Sequence, residues 1–403
     1  MKITCKKRIL FVLPYYPAIR FTYLYDYILG LSVLNFNVEL LALVKEKNES
    51  EHSYFKNKCK IYHLDEIFRK LNLLQISISA IVSIILFFDI IRFLLNPAFF
   101  KNIIVLVAKF RKKYDFVYST QNIIAGIYSL FFKKMTVNTK IGFGIFDHYA
   151  GIFELSNPEK YIDYRVWINK KLIKIALQKM DFFTAFNQNF YSKIQDLFRR
   201  LNISKKINLL IIEPALSFCP VSWNKSSRKE GNIYRVLSIT GFEKFKGTLD
   251  FLYTFKNFLK SMGNFYFTFI GSGKITKEIE KFIEETKLVD RVKIIRVADR
   301  VDIIRQIVLS DFVIHTSYIE TGPAVLIESL VCGKPIFIQD VGIARNISSI
   351  SEGIYIYDSF DDLKNQLINF IKEGKGKEVK ISLLFKHNHH FNLVIENLAK
   401  IFS

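Results

Sequence analysis

The sequence predicts an α/β fold of two doubly wound domains. Strand-like and helix-like segments alternate along both halves of the chain, the pattern of parallel sheets with helical crossovers. Glycines and acids follow several of the strand ends, where such sheets bind ligands. With 403 residues, half of them hydrophobic, the chain can bury two full cores.

The second half shows the alternation most clearly. Arg235 to Thr240 reads as a strand and Thr248 to Met262 as an apolar-periodic helix. Phe265 to Ile270 is a strand ending in Gly271-Ser272-Gly273, and Lys277 to Thr286 a charged helix. Val292 to Arg296, Asp302 to Leu309 and Asp311 to His315 continue as strand, helix, strand. Gly241, Gly271 and Glu320 all follow expected strand ends and so converge on one crevice. In the first half, Arg8 to Leu13 is a strand ending in Pro14-Tyr15-Tyr16-Pro17, and Asn37 to Val44 is the next. Phe116 to Ser119, the helix Ile123 to Phe132, and a strand from Lys140 to Phe146 ending at Asp147-His148 follow. Phe182 to Phe186 is a further strand, Leu209 to Pro214 marks the crossover between halves, and Ser222 to Gly231 is a low-complexity linker. The domain boundaries this gives are 1–213 and 214–390, with a C-terminal helix at about Phe391 to Phe402.

The stretch from Glu320 to Asp340 carries the sharpest chemistry. Glu320 and Glu328 flank a Gly322-Pro323 turn. Pro323 suits the first turn of a helix and not its interior, so a helix should begin near Pro323 and stop at Gly333. Glu320 then precedes the helix and Glu328 lies inside it. The N–H groups of Gly322, Ala324 and Val325 would face a ligand and favour an anion such as a diphosphate. Carboxylates accept hydrogen bonds from hydroxyls, so this pairing suits a nucleotide-sugar. The plain alternative is one solvated helix acid beside an unrelated loop acid.

This segment resembles the retaining glycosyltransferases of family 4. Their signature is a Glu, seven residues and a second Glu, then a small-Cys-Gly-x-Pro turn and a short strand. Glu320, Glu328, Cys332-Gly333-Lys334-Pro335 and Ile336 to Gln339 fill that template in order. The resemblance implies the GT-B fold, two Rossmann-like doubly wound domains facing a cleft. It also implies that Glu328 binds the nucleotide ribose and that Glu320 lies beside the transferred sugar as the catalytic-site acid. The family places Gly-Arg and then Lys-Gly after the Arg235 to Thr240 strand, the Arg and Lys clamping the donor diphosphate. Lys246-Gly247 matches, while Phe242 occupies the Arg position and cannot bind phosphate. Lys244 is a weaker substitute, a point charge without the guanidinium fork.

By the same resemblance, His148 faces the cleft as a second catalytic-site residue; capping a neighbouring backbone is its ordinary alternative. The glycine pair that such enzymes often carry after the first strand is replaced here by Ala18, Ile19 and Arg20. Asp147 is assigned no role, because the donor phosphate oxygen can act as base toward the acceptor. The C-terminal helix is expected to pack back onto the first domain.

Cys5, Cys59, Cys219 and Cys332 show no metal-type or CxxC spacing, and no cleavable signal peptide is evident. A cytosolic setting without a metal site or cofactor is expected, with Cys332 in packing. His387, His389 and His390 read as a solvated or packing cluster, with metal binding a lesser option.

Of the net charge of +21, +16 falls in residues 1–213 and +5 in residues 214–403. A basic half interleaved with apolar residues points to an anionic surface. No nucleic-acid module appears, which favours the anionic membrane face over nucleic acid. Leu71 to Phe88 carries no charge and reaches the lower edge of a spanning length of roughly 17–25 residues. Asn72, Gln75 and three serines dilute it, and Asp89 and Arg92 follow. An interfacial helix or hairpin over Leu71 to Leu95 ranks first, continued by Ile103 to Phe110 and anchored by Lys109, Arg111, Lys112 and Lys113. A buried core helix ranks second and a true span third.

The sequence thus leads to a peripheral, inner-face glycosyltransferase that moves a sugar from a nucleotide-sugar to a lipid-linked or membrane-proximal saccharide. Bacterial surface polysaccharide is the implied product. The rivals are another GT-B enzyme such as a nucleotide-sugar epimerase, and a non-catalytic GT-B-like binding protein.

Overall fold

The computed structural model describes residues 7–16, 22–45, 58–77, 97–110, 114–120, 123–135, 138–145, 170–188, 190–216, 233–261, 264–296, 300–373, 385 and 389–403. They form two compact units, one of Met1–Glu213 with Ile395–Ser403 and one of Pro214–Val394.

In the first unit the order is β1 (Arg8–Tyr16), α1 (Thr22–Val33), β2 (Asn37–Lys45), β3 (Lys60–His63), α2 (Leu64–Arg69) and α3 (Pro97–Lys109). β4 (Phe116–Thr120), α4 (Ile123–Met135), β5 (Lys140–Ile145), α5 (Lys170–Lys179), β6 (Phe182–Ala185), α6 (Phe190–Arg200) and β7 (Leu209–Ile211) complete it. The strands make one parallel sheet in the order β3-β2-β1-β4-β5-β6-β7. Continuous apolar runs such as Ile9 to Leu13, every residue of it buried, suit strands covered on both faces. Phe402 near the chain end packs its ring against Phe11, Phe116, Tyr118 and Phe182, which ties the C-terminal segment to this sheet.

The second unit runs β8 (Tyr234–Ile239), a 3-10 turn (Lys244–Lys246), α7 (Thr248–Ser261), β9 (Phe265–Ile270), α8 (Thr276–Glu285), β10 (Val292–Ile295), α9 (Arg300–Leu309) and β11 (Phe312–His315). α10 (Ala324–Val331), β12 (Ile336–Ile338), α11 (Ala344–Ser348), β13 (Ile354–Ile356) and α12 (Phe360–Lys372) follow, and α13 (His389–Ile401) begins in this unit and belongs to the first from Ile395 on. Its parallel sheet has the order β10-β9-β8-β11-β12-β13. The strand order therefore reverses between β8 and β11, and that reversal opens a crevice at their carboxyl ends. Phenylalanine fills the core. Phe251, Phe255 and Phe258 on α7 meet the inward-facing Phe265, Phe267 and Phe269 of β9, each ring contributing about 2–3 kcal/mol by burial.

One local device recurs in both units. Asp115, just before β4, accepts a 2.8 Å bond from the Arg8 N–H at the start of β1. Asp311, just before β11, does the same for the Arg235 N–H on β8 at 2.8 Å. Each carboxylate satisfies an otherwise open donor and pins in place the two strands that border the reversal.

One expectation changes. Ile103, Val105 and Leu106 on α3 are fully buried and Phe110 nearly so, inside the first unit's core. This helix is apolar because it packs against the sheet and its neighbours, so Ile103 to Phe110 is not interfacial. Leu71 is also buried, while Leu73 and Leu74 are exposed; the remainder of Leu71 to Leu95 beyond residue 77 lies outside the described residues. Leu209–Ile211 is a strand paired to β6, so the chain leaves the first unit after it, at Glu213. No helix among the described residues is long and apolar enough to cross a membrane.

Candidate functional site

The crevice at the β8/β11 reversal receives two loops. The first runs from β8 through Gly241 to Lys246-Gly247; the second runs from β11 through Thr316 to the start of α10. Thr316 Oγ1 donates to the Lys246 carbonyl at 2.8 Å, and the Tyr318 N–H donates to the Phe245 carbonyl at 3.1 Å. Gly247 has φ +66°, and a Cβ there would sit 2.3 Å from the Thr316 carbonyl oxygen. Only glycine allows this approach, so Gly247 sets the distance between the loops.

That closeness brings Lys246 and Glu320 together, 74 positions apart in sequence. Lys246 Nζ lies 2.5 Å from Glu320 Oε1, and both side chains are largely buried. His315, the last residue of β11, places Nε2 3.2 Å from the same oxygen. Burial alone would raise the Glu320 carboxyl, but the imidazole of His315 and the ammonium of Lys246 overcome it and hold the group down to about 2. Glu320 is therefore a carboxylate throughout the working range. Tyr357 fixes the far side by donating its hydroxyl to the His315 carbonyl at 2.8 Å.

Helix α10 starts as the proline spacing requires, with Pro323 at the N-cap and Ala324 as first helical residue. It ends in a Schellman motif. Gly333 takes φ +72°, its N–H bonds Leu330 O, and the Lys334 N–H bonds Ser329 O. Gly322, Pro323 and Val325 are buried at this start, and Ala324 is partly so. Leu326 N–H bonds the Pro323 carbonyl at 3.0 Å, while the N–H groups ahead of it precede the helix's own acceptors and present a positive end. Cys332 is buried at the C-cap, in packing.

Glu328 lies one turn further along α10 and is 5% exposed. Its Oε1 receives the Arg300 guanidinium at 2.7 Å, and Arg300 is itself buried at the start of α9. This partner had no signal in the sequence, because Arg300 sits 28 positions away in an ordinary charged stretch. His315 was legible only as a strand residue.

The other expected residues divide. Lys244 is exposed on the 3-10 turn and does not join the Lys246–Glu320 contact. A Cβ on Gly241 would make only ordinary contact, 3.9 Å from the Ser272 carbonyl oxygen, whereas one on Gly271 would lie 1.9 Å from the Thr240 carbonyl oxygen, so Gly271 permits the close packing of β8 and β9 ends. Phe242 is fully buried in the core. His148, Asp147, Ala18 to Arg20 and the linker Ser222 to Gly231 lie outside the described residues, as does His387. His390 is buried and stacks on Phe385 at 4.9 Å. No group of residues able to hold a metal ion occurs among the described residues.

Five buried polar atoms on the β8 and β11 side of the second unit have no hydrogen-bond partner among the described residues. They are Ser238 Oγ on β8, Thr240 Oγ1 just after it, Thr248 Oγ1 at the start of α7, and both ring nitrogens of His315. Buried polar groups are rarely left so, and their concentration at the reversal marks a place built for a polar ligand. A lysine, a helix start and two carboxylates there suit an anion bearing hydroxyl groups.

Residues 222–382 match the family described as Glycosyl transferases group 1. A search of curated proteins gives no match. Among solved structures, HepE of Anabaena in complex with UDP and glucose superposes with TM-score 0.62 at 15% identity, over 98% of this chain and 99% of that one. Sucrose-phosphate synthase of Thermosynechococcus elongatus gives 0.61 at 14%, over 98% and 95%. The lipopolysaccharide outer core galactosyltransferase WaaB gives 0.50 at 14%, over 96% and 94%. With the group 1 domain in its second unit and the GT-B fold along its length, the chain is an enzyme of the glycosyltransferase class.

Proposed function

We propose that the chain is a retaining glycosyltransferase of the family 4, E-x7-E type, which uses a nucleotide-sugar donor. The observation that carries this reading is the meeting of Lys246 and Glu320 across the β8/β11 reversal, beside the start of α10. Lys246 and the N–H groups of Gly322, Ala324 and Val325 hold the diphosphate, with Lys244 and the loops at Gly241 and Gly271 at its margin. Glu328, steadied by Arg300, accepts the ribose hydroxyls. Glu320 accepts hydroxyls of the transferred sugar.

Charge develops on the leaving diphosphate as the glycosidic bond breaks. Lysine and the helix start stabilise that charge where it forms, without a metal or cofactor. The acceptor hydroxyl gives its proton to a donor phosphate oxygen, and the new bond forms on the face the diphosphate leaves, so configuration is kept. The family resemblance adds His148 as a second catalytic-site residue. HepE has been crystallised with UDP-glucose, which supports a sugar nucleotide as donor.

The acceptor is a lipid-linked or membrane-proximal saccharide of bacterial surface polysaccharide synthesis, and the enzyme works at the inner membrane face. The +16 charge of residues 1–213 and the likeness to WaaB support this. A thermal-shift screen of nucleotide-sugars tests the donor reading. The donor raises the melting temperature of the wild type by mass action and leaves Glu328→Gln unmoved. A wild type indifferent to every nucleotide-sugar overturns it.

A further inference from the structure

We propose that Gly342 is a positioning residue for the sugar nucleotide: it seats the peptide between Thr321 and Gly322, whose N–H faces the diphosphate at the start of α10. The inference rests on the donor reading above and adds to it a residue from a third loop.

β12 lies beside β11 in the sheet, so the loop after it, residues 339–343, borders the loop that carries Glu320 and leads into α10. A left-handed glycine meets that middle loop from each side. Gly247, at φ +66°, does so from the β8 side, and Gly342, at φ +60°, from the β12 side. A Cβ on Gly342 would lie 2.8 Å from both the carbonyl carbon and the carbonyl oxygen of Thr321, and 3.0 Å from Pro323 Cδ. Carbon atoms pack best at about 3.5–4.0 Å, so one of the two segments would have to move.

The geometry puts the displacement where it matters for binding. Val341, Ile343 and Ala344 are buried on either side of Gly342. The Val341 N–H bonds the Gln339 carbonyl at 2.7 Å and the Ala344 N–H bonds the Val341 carbonyl at 3.0 Å, so this short loop has little room to withdraw. The Thr321 carbonyl and the Gly322 N–H belong to one planar peptide group, so pressure on the carbonyl turns the N–H with it. Pro323 has no N–H to take its place. Glycine at 342 therefore does two things at once: it accepts the left-handed backbone and leaves space for the peptide that meets the diphosphate.

The experiment uses the full chain, with UDP and GDP as calorimetric probes and UDP-glucose and GDP-mannose in an assay of nucleotide release. Gly342→Asn is compared with Gly333→Asn at the C-terminal end of α10. Asparagine tolerates left-handed backbone, here φ +60° and φ +72°, so strain is small and matched while a Cβ is added at each place. Gly342→Asn is expected to weaken nucleotide binding at least about tenfold and to raise the KM for the sugar nucleotide in step, since a contact misplaced by about 1 Å costs up to about 10²-fold. Gly342→Ala, which adds the Cβ alone, should show the same loss. Gly333→Asn should keep both quantities within about twofold of wild type, whatever its melting temperature. Wild-type nucleotide affinity in Gly342→Asn overturns the proposal. So does equal weakening in Gly333→Asn, or failure of both Gly342 variants to fold, either of which makes Gly342 structural only. A wild type that neither binds UDP or GDP nor releases either overturns the donor reading itself, a result distinct from these.

Discussion

Replacing Arg300 by methionine isolates the buried pair that underlies the ribose position. The Arg300 side chain is 2% exposed and that of Glu328 7%, with the guanidinium nitrogen 2.7 Å from the carboxylate. Methionine fills much of the volume but leaves Glu328 as an uncompensated charge in the interior. Breaking a buried pair on one side costs about 3–5 kcal/mol. For a unit of this size each kcal/mol lowers the melting temperature by roughly 2–4 °C, so a fall of about 10 °C is expected. Arg300→Met combined with Glu328→Gln should regain most of the loss, giving a large coupling in the double-mutant cycle. Urea unfolding measures both. A cost under about 1 kcal/mol for Arg300→Met, or a double variant no more stable than the single one, refutes the reasoning.

Three further outcomes follow from the site. Because the Glu320 carboxyl is held at about 2, below an ordinary value of 4.5, its contribution to stability is complete above pH 4.5 and disappears as pH falls toward 2. Glu320→Gln should flatten that acid limb in pH-dependent thermal melts, and an unchanged limb would assign it to other groups. Gly247→Ala forces a left-handed residue and a Cβ 2.3 Å from the Thr316 carbonyl, so donor affinity should fall at least tenfold by calorimetry. Phe242→Arg restores the family's residue in name only. The side chain is fully buried, so the variant should lose more than about 3 kcal/mol in denaturant titration and gain no nucleotide affinity.

The sequence made the second unit legible nearly element by element, because its strands are short apolar runs punctuated by glycine. Phe265–Ile270 begins and ends where the pattern places it, and α7 and β12 differ by a residue. The α10 boundaries follow from Pro323 and Gly333, whose backbone chemistry is local. Helix α3 was misread for a physical reason. A helix whose apolar residues, here Ile103 to Val107, enter a core and one lying in a membrane surface have the same apolar composition, and only the fold reveals which neighbour covers them. β3, β13 and α12 went unread: the strands are three or four residues long, and Phe360–Lys372 carries its signal in a Ser359 cap and Asp361-Asp362 start. Within the site, Lys246, Glu320 and Glu328 were visible through motif spacing. Their partners His315 and Arg300 were not, since a contact made by folding between distant segments leaves no periodic trace.

The central claim is that the β8/β11 crevice holds a nucleoside diphosphate. A crystal structure of the chain with the nucleotide that stabilises it most tests this directly. The account predicts the ribose on Glu328, the diphosphate on Lys246 and the first turn of α10, and Glu320 turned from Lys246 toward the transferred sugar. A nucleotide bound elsewhere, or one in this crevice with Lys246 still paired to Glu320, contradicts it.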